Sequence, residues 1–82
     1  MIVEDIRNKL KQEFPNSVIE LINTSSQHYG HDHGGLHLKL RIIDSNFKDL
    51  SLVERHKLVY KTLKQEMGAE IHALSIEAED GS

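Results

Sequence analysis

Leu36-His37-Leu38-Lys39-Leu40-Arg41-Ile42 alternates apolar and polar side chains without a break. Only an extended chain, with its side-chain period of two, sorts such a run onto two faces, so the segment is read as a strand buried on one side. Leu36, Leu38, Leu40 and Ile42 take the core face. His37, Lys39 and Arg41 share the other, which leaves His37 pointing away from the core.

The neighbouring segments supply what that core face needs. Upstream, Val18-Ile19-Glu20-Leu21-Ile22 is β-branched and partly alternating, which predicts a second strand. Ile2, Ile6 and Leu10 recur every four residues, with Val3 beside them and Phe14 closing the series. That spacing lines one side of a helix, which Pro15 ends by disfavouring helical geometry at the residue before it. Downstream, Asp44-Ser45-Asn46 is a turn, with Phe47 and Leu50 as hydrophobic anchors after it. Ser51-Leu52-Val53-Glu54 has the pattern of a capping box and opens a helix running to about Met67, with Gly68 as a left-handed cap. Leu52, His56, Val59, Leu63 and Met67 follow its buried side. Ile71-His72-Ala73-Leu74-Ser75-Ile76-Glu77 closes the series as a short alternating strand. Strict alternation places Ile71, Ala73 and Ser75 on one face and His72, Leu74 and Ile76 on the other. Glu79 to Ser82 form a frayed acidic end.

The element order, helix, strand, strand, helix, strand, predicts a two-layer α+β domain in which a three-stranded mixed sheet packs on two helices. The first two strands pair as an antiparallel hairpin across the loop from Asn23 to Gly35. The last follows a helix, so it joins by a right-handed parallel crossover. At 82 residues the chain is expected to form one domain, residues 1–82, with a modest core.

Composition narrows the chemistry. With no cysteine, the chain holds no disulfide, no catalytic thiol and no metal site of its own built on thiolates. A formal net charge of −3 opposes binding to nucleic acid by counterion release alone. No apolar run approaches a membrane span and the N-terminus lacks the apolar stretch of a signal peptide, so a soluble, cytoplasmic protein without a membrane partner is the expectation. No phosphate loop, nucleophile or paired-carboxylate signature appears, and an enzyme is not expected. Four of the six histidines, His28, His31, His33 and His37, fall in one glycine-rich stretch, HYGHDHGGLH. Neutral imidazole is a common transition-metal ligand, so this stretch is read either as a ligand donor or as a polar surface loop.

Leu52-Val53-Glu54-Arg55-His56-Lys57-Leu58-Val59-Tyr60, followed by Ile71-His72-Ala73-Leu74-Ser75-Ile76, resembles the BolA family, with its Arg-His pair opening the long helix and its His-Ala-Leu strand after it. Leu36-His37-Leu38-Lys39 stands where the family has Ser/Thr-His-Phe-Lys, and Asn23-Thr24-Ser25 where it has Asp-Glu-Ser. The resemblance covers nearly the whole chain and implies an αββαβ fold similar to a type II KH domain, which agrees with the element order above. It departs from the family in two places. Asn23 and Thr24 replace the acidic pair, and the family's Pro-Glu-Glu-Trp-like tail is not matched after the last strand, trimming a surface offered to partners.

The resemblance implies an adaptor that is monomeric alone and forms a heterodimer with a monothiol glutaredoxin. The pair shares a [2Fe–2S] cluster with glutathione, in iron–sulfur assembly, trafficking or iron sensing; the chain alone carries no cofactor. Lacking cysteine, it must contribute nitrogen ligands, and a pair of imidazoles on one iron raises the potential, as in Rieske centres. His72, in the His-Ala-Leu strand, is the first implied ligand. The second is a loop histidine, His31 ahead of His28, while His33 is read as a bystander. His37 and Arg55 are implied partner contacts, with Arg55 exposed by the helical count. His56, on the helix stripe, is read as structural. Because imidazole binds metal only when neutral, cluster sharing should weaken as pH falls through the histidine range.

Two other readings stand beside this one. Some bacterial members of the family are described as DNA-binding regulators of morphology and stress responses. Here DNA would meet a local basic face of Lys48, Arg55, Lys57, Lys61 and Lys64, although the chain has no GXXG loop of the KH kind. Autonomous binding of zinc, nickel or copper by His28, His31, His33 and His37 is the third reading. Its loose spacing makes it weak.

Overall fold

The computed structural model describes residues 3–24 and 35–82. Its elements are helix α1 (Val3–Glu13), strand β1 (Val18–Asn23), strand β2 (Leu36–Ile43), a 3-10 turn (Ser45–Phe47), helix α2 (Leu52–Thr62), helix α3 (Lys64–Met67) and strand β3 (Ile71–Glu79). β2 lies at the centre of the sheet. It pairs antiparallel with β1, from Val18 opposite Ile43 to Asn23 opposite Leu38, and parallel with β3. This is the expected two-layer α+β arrangement, with helices against one face of a three-stranded mixed sheet.

The core follows from the periodicities. Leu38, Leu40 and Ile42 of β2 are buried, as are Ile6, Leu10 and Phe14 from α1 and its end, and Val59 and Leu63 from the second helical layer. Ile2 lies outside the described residues. Phe47, fixed by the 3-10 turn, meets Phe14 edge-on with ring centroids 5.7 Å apart. Asp44 caps that turn by accepting a hydrogen bond from the Asn46 N–H. The capping box at α2 is formed in both directions, Glu54 N–H to Ser51 Oγ and Ser51 N–H to the Glu54 carboxylate.

The second helix differs from expectation in three respects. Leu52 is 64% exposed rather than buried. The helix does not run unbroken to Met67: Leu63, at φ −103° and ψ 21°, separates α2 from the single turn of α3. Gly68 is right-handed, at φ −88° and ψ −7°, so it is not a left-handed cap. Glu66 is buried at 5% exposure, and the Lys9 ammonium of α1 donates to both its carboxylate oxygens, at 2.9 and 3.1 Å. A buried carboxylate requires such a partner.

β3 departs from strict alternation. Leu36 is opposite Ile71, but His37 is opposite Ala73, so β3 carries one extra residue, His72, at a bulge. Beyond it Leu74, Ile76 and Ala78 turn toward the core, while Ala73, Ser75 and Glu77 are exposed. The bulge corrects the expected face of His72. Instead of joining Leu74 and Ile76, its side chain is exposed beside His37.

Candidate functional site

The open face of the sheet carries two groups of polar residues, one toward each end. Toward the far end of β2, Arg41 sits in register with Glu20 and Glu77. Its Nε and Nη2 donate to the Glu79 carboxylate at 3.1 and 3.2 Å, with Glu20 at 3.7 Å and Glu77 at 3.9 Å. The bond from Arg41 is the main reason the Glu79 carboxyl is held below the ordinary carboxylate range, and Arg41 in turn is raised above its own ordinary value, chiefly by Glu79.

At the other end, where β2 begins and β3 enters the sheet, the His37 and His72 rings lie with centroids 5.0 Å apart and planes tilted by 33°. Three local features put them there. Alternation in β2 sends His37 to the open face. The bulge sends His72 to the same side, and bulges commonly re-aim a side chain in this way. The His37 carbonyl accepts hydrogen bonds from both the Thr24 N–H at 2.7 Å and the Thr24 hydroxyl at 3.0 Å, which fixes the backbone beneath the ring. Gly35 completes the arrangement: a Cβ there would overlap the Cβ of His72, so the chain crosses closely at a residue without a side chain.

Of the expected ligands, the structure therefore places His72 on the open face, in contact with His37. His28, His31 and His33 lie outside the described residues. His56 is half-buried on α2, as its place on the helix stripe implied. Arg55 is not exposed as the helical count suggested: its side chain is 13% exposed. It donates to the Leu50 carbonyl and to the Ala78 carbonyl, each at 3.0 Å, and lies 3.8 Å from Asp80. A long side chain at the first turn of α2 folds back onto the end of β3, which angular position alone does not reveal. Lys48, Lys57, Lys61 and Lys64 are exposed. Among the described residues, no three histidine, aspartate or glutamate side chains converge as a metal site, and no helix is long and apolar enough to cross a membrane.

Sequence reasoning missed Thr24 and Gly35. Both flank the polar loop, and their roles depend on contacts with strands 13 and 37 residues away. The pairing of His37 with His72 was hidden by the bulge, although the apolar residues Ile71, Leu74, Ile76 and Ala78 carry its signal in one step of three before steps of two.

The geometry defines a small α+β domain whose open sheet face sets two imidazoles side by side. The chain belongs to the BolA-like protein family, whose profile matches residues 10–80. It superposes on the BolA domain of SufE1 from Arabidopsis thaliana with a TM-score of 0.81 at 42% identity, over 94% of this chain and 88% of that one. The full SufE-like protein 1, chloroplastic/mitochondrial, of the same plant is 41% identical over 81 residues, 89% of this chain but 22% of that protein. BolA-like protein 1 of Homo sapiens is 37% identical over 73 residues, 89% of this chain and 53% of the human protein. The chain thus spans about a fifth to a half of the length of these two relatives. The DNA-binding transcriptional regulator BolA of Vibrio cholerae is 37% identical over 76 residues, 93% of this chain and 72% of that protein.

Proposed function

We propose that this chain is a cytoplasmic, non-catalytic adaptor that pairs with a monothiol glutaredoxin and contributes imidazole ligands to a shared [2Fe–2S] cluster. The observation that carries the reading is the exposed position of His72 at the β3 bulge, on the open face and beside a second imidazole. The donor chemistry fits. A chain without cysteine offers only nitrogen and oxygen ligands, and imidazole is the nitrogen donor suited to iron. His72 is one ligand in this reading, and His31 or His28 from the loop is the other. When bound, the cluster would supply electron-transfer or iron-sensing chemistry. The chain's own residues hold the ligand in place: Thr24 fixes the backbone under His37, His37 packs against the His72 ring, and Gly35 leaves room for the His72 strand.

The site is open to a partner from the sheet face. His37 is the described residue best placed to touch one, while Arg55 is engaged with Leu50, Ala78 and Asp80. The His72→Ala variant should fold and yet fail to produce the change in visible absorption and circular dichroism that the wild-type chain gives with cluster-loaded monothiol glutaredoxin under anaerobic conditions. An undiminished change removes His72 from the ligand set.

The name of the Vibrio cholerae relative favours a second reading, a DNA-binding regulator. Lys48, Lys57, Lys61 and Lys64 are its candidate phosphate contacts; Arg55, turned inward, is a poor one. Affinity for duplex DNA that falls steeply with added salt would support it.

A further inference from the structure

We infer that the groove between α1 and the α2–α3 segment docks an acidic peptide segment of a partner protein, one that carries carboxylates beside an apolar anchor. The groove belongs to the helical layer, away from the open sheet face and its histidines. It has a volume of about 550 Å³ and is open along its outer side. Its apolar part is Phe14, held edge-on against Phe47 at the end of α1, and Leu58 of α2, which the fold leaves 38% exposed.

The charges decide what kind of segment fits. On the α1 wall the Lys9 ammonium is already bound to buried Glu66, which leaves Glu13 as the uncompensated charge there. On the opposite wall stand Lys61 and Lys64. Among the described residues neither has a carboxylate partner, whereas Arg7, Lys9, Arg41 and Arg55 each have one. The groove is therefore basic along α2 and α3 and acidic along α1, on a chain whose formal net charge is −3. An anionic segment is drawn to one wall and turned away from the other, so the groove orients what it binds. With carboxylates against Lys61 and Lys64, an apolar side chain over Phe14 and Leu58, and backbone amides facing Gln12 and Gln65, a peptide uses every kind of group in the lining.

Other occupants fit less well. Sites for small molecules bury about 70–90% of the ligand surface, which a groove open along one side does not do. Duplex DNA would bring phosphates toward Glu13 and gain nothing from Phe14 and Leu58.

This inference does not rest on the cluster reading, and its test contains no iron. The full chain is titrated into a fluorescein-labelled probe peptide of four glutamates around one phenylalanine. Binding is read by fluorescence polarisation, and backbone amide shifts are followed by NMR. Saturable binding is expected, with shifts concentrated at Gln12, Leu58 and Gln65. Lys61→Glu and Lys64→Glu should each weaken it roughly tenfold or more, because each sets a like charge against the peptide. Leu58→Ser should weaken it about threefold or more by removing apolar contact. Lys39→Glu makes the same change in net charge on the open face and should leave affinity unaltered.

The inference is overturned if the peptide does not bind, or if Lys39→Glu weakens binding as much as Lys61→Glu. It is also overturned if alanine in place of the probe's phenylalanine leaves affinity unchanged. Duplex DNA that binds through Lys61 and Lys64 when the peptide does not would assign the groove to phosphate and overturn it as well. The three groove side chains to be replaced are exposed, and should one variant fail to fold, the amide shifts of the wild-type chain decide the matter.

Discussion

The two ends of the open sheet face are built on one principle and reach opposite results. Around Arg41 every strand contributes a partner: Glu20 from β1, Glu77 and Glu79 from β3. Around His37 the strands contribute a second imidazole, His72, and a backbone clamp from Thr24. Exposure alone therefore does not mark a functional residue. At the Arg41 end the polar groups answer one another, whereas the histidine end presents two like ligands side by side. Like ligands side by side are of use chiefly to a third party.

Substitutions ranked by their effect on stability sharpen this contrast. The largest loss should come from outside the face, at Arg55. Arg55→Ala removes donors from two backbone carbonyls and a partner from Asp80, and charge-assisted bonds at a mostly buried side chain are worth about 1.5–3 kcal/mol. Urea unfolding should show the midpoint falling by a corresponding amount, and a midpoint within error of wild type would contradict the assigned role.

Next comes Arg41→Ala, whose exposed ion pairs should matter less than the Arg55 contacts and be sensitive to salt. Its more telling signature is in pH dependence. Glu79, held low chiefly by the bond from Arg41, takes up its proton at a lower pH in the folded chain than in the unfolded one. The unfolded state thus binds more protons on acidification, so the stability Glu79 contributes is present at neutral pH and is lost as pH falls through the lowered folded value. Glu54, held low by its bonds with Ser51, and Asp80, held low by its bonds with Ser82, act in the same direction. Thermal melts across the acid range should show the wild-type chain losing stability more steeply than Arg41→Ala; identical slopes would detach Glu79 from Arg41.

The smallest effect belongs to the histidine end. Truncating an exposed side chain usually changes stability by less than about 0.5 kcal/mol, and His72→Ala should fall in that range. If it unfolds the chain, the histidine end is structural after all, and the contrast between the two ends collapses.

How much of this was legible beforehand depends on the distance over which each residue acts. The period-two run of β2 was enough to assign His37, Lys39 and Arg41 to the open face, and the capping box was correct to the residue. Both are local patterns. The face of His72 was misread because one inserted residue reverses a strand's parity, and the expectation assumed unbroken alternation. Arg55 was misread because a helical wheel records where a side chain leaves the backbone, whereas an arginine ends several ångströms away. Similarly, the Lys9–Glu66 pair joins residues 57 apart in the chain, beyond the reach of any local pattern. The likeness of motifs supplied the family; it could not supply the contact between two histidines on neighbouring strands.

The inward turn of Arg55 has one more effect. The Glu79 carbonyl faces β2, where it accepts from the Asp44 N–H, so the Ala78 carbonyl before it faces outward from the sheet's border. That acceptor is filled by Arg55, and on the opposite border Arg7 reaches the Ile19 carbonyl at 3.5 Å. An unoccupied border strand is a template on which another chain can lay down a fourth strand, and then a fifth. With an arginine from α1 and another from α2 each stopping one position on a margin, the sheet is discouraged from growing, and what it still offers to other molecules is its face.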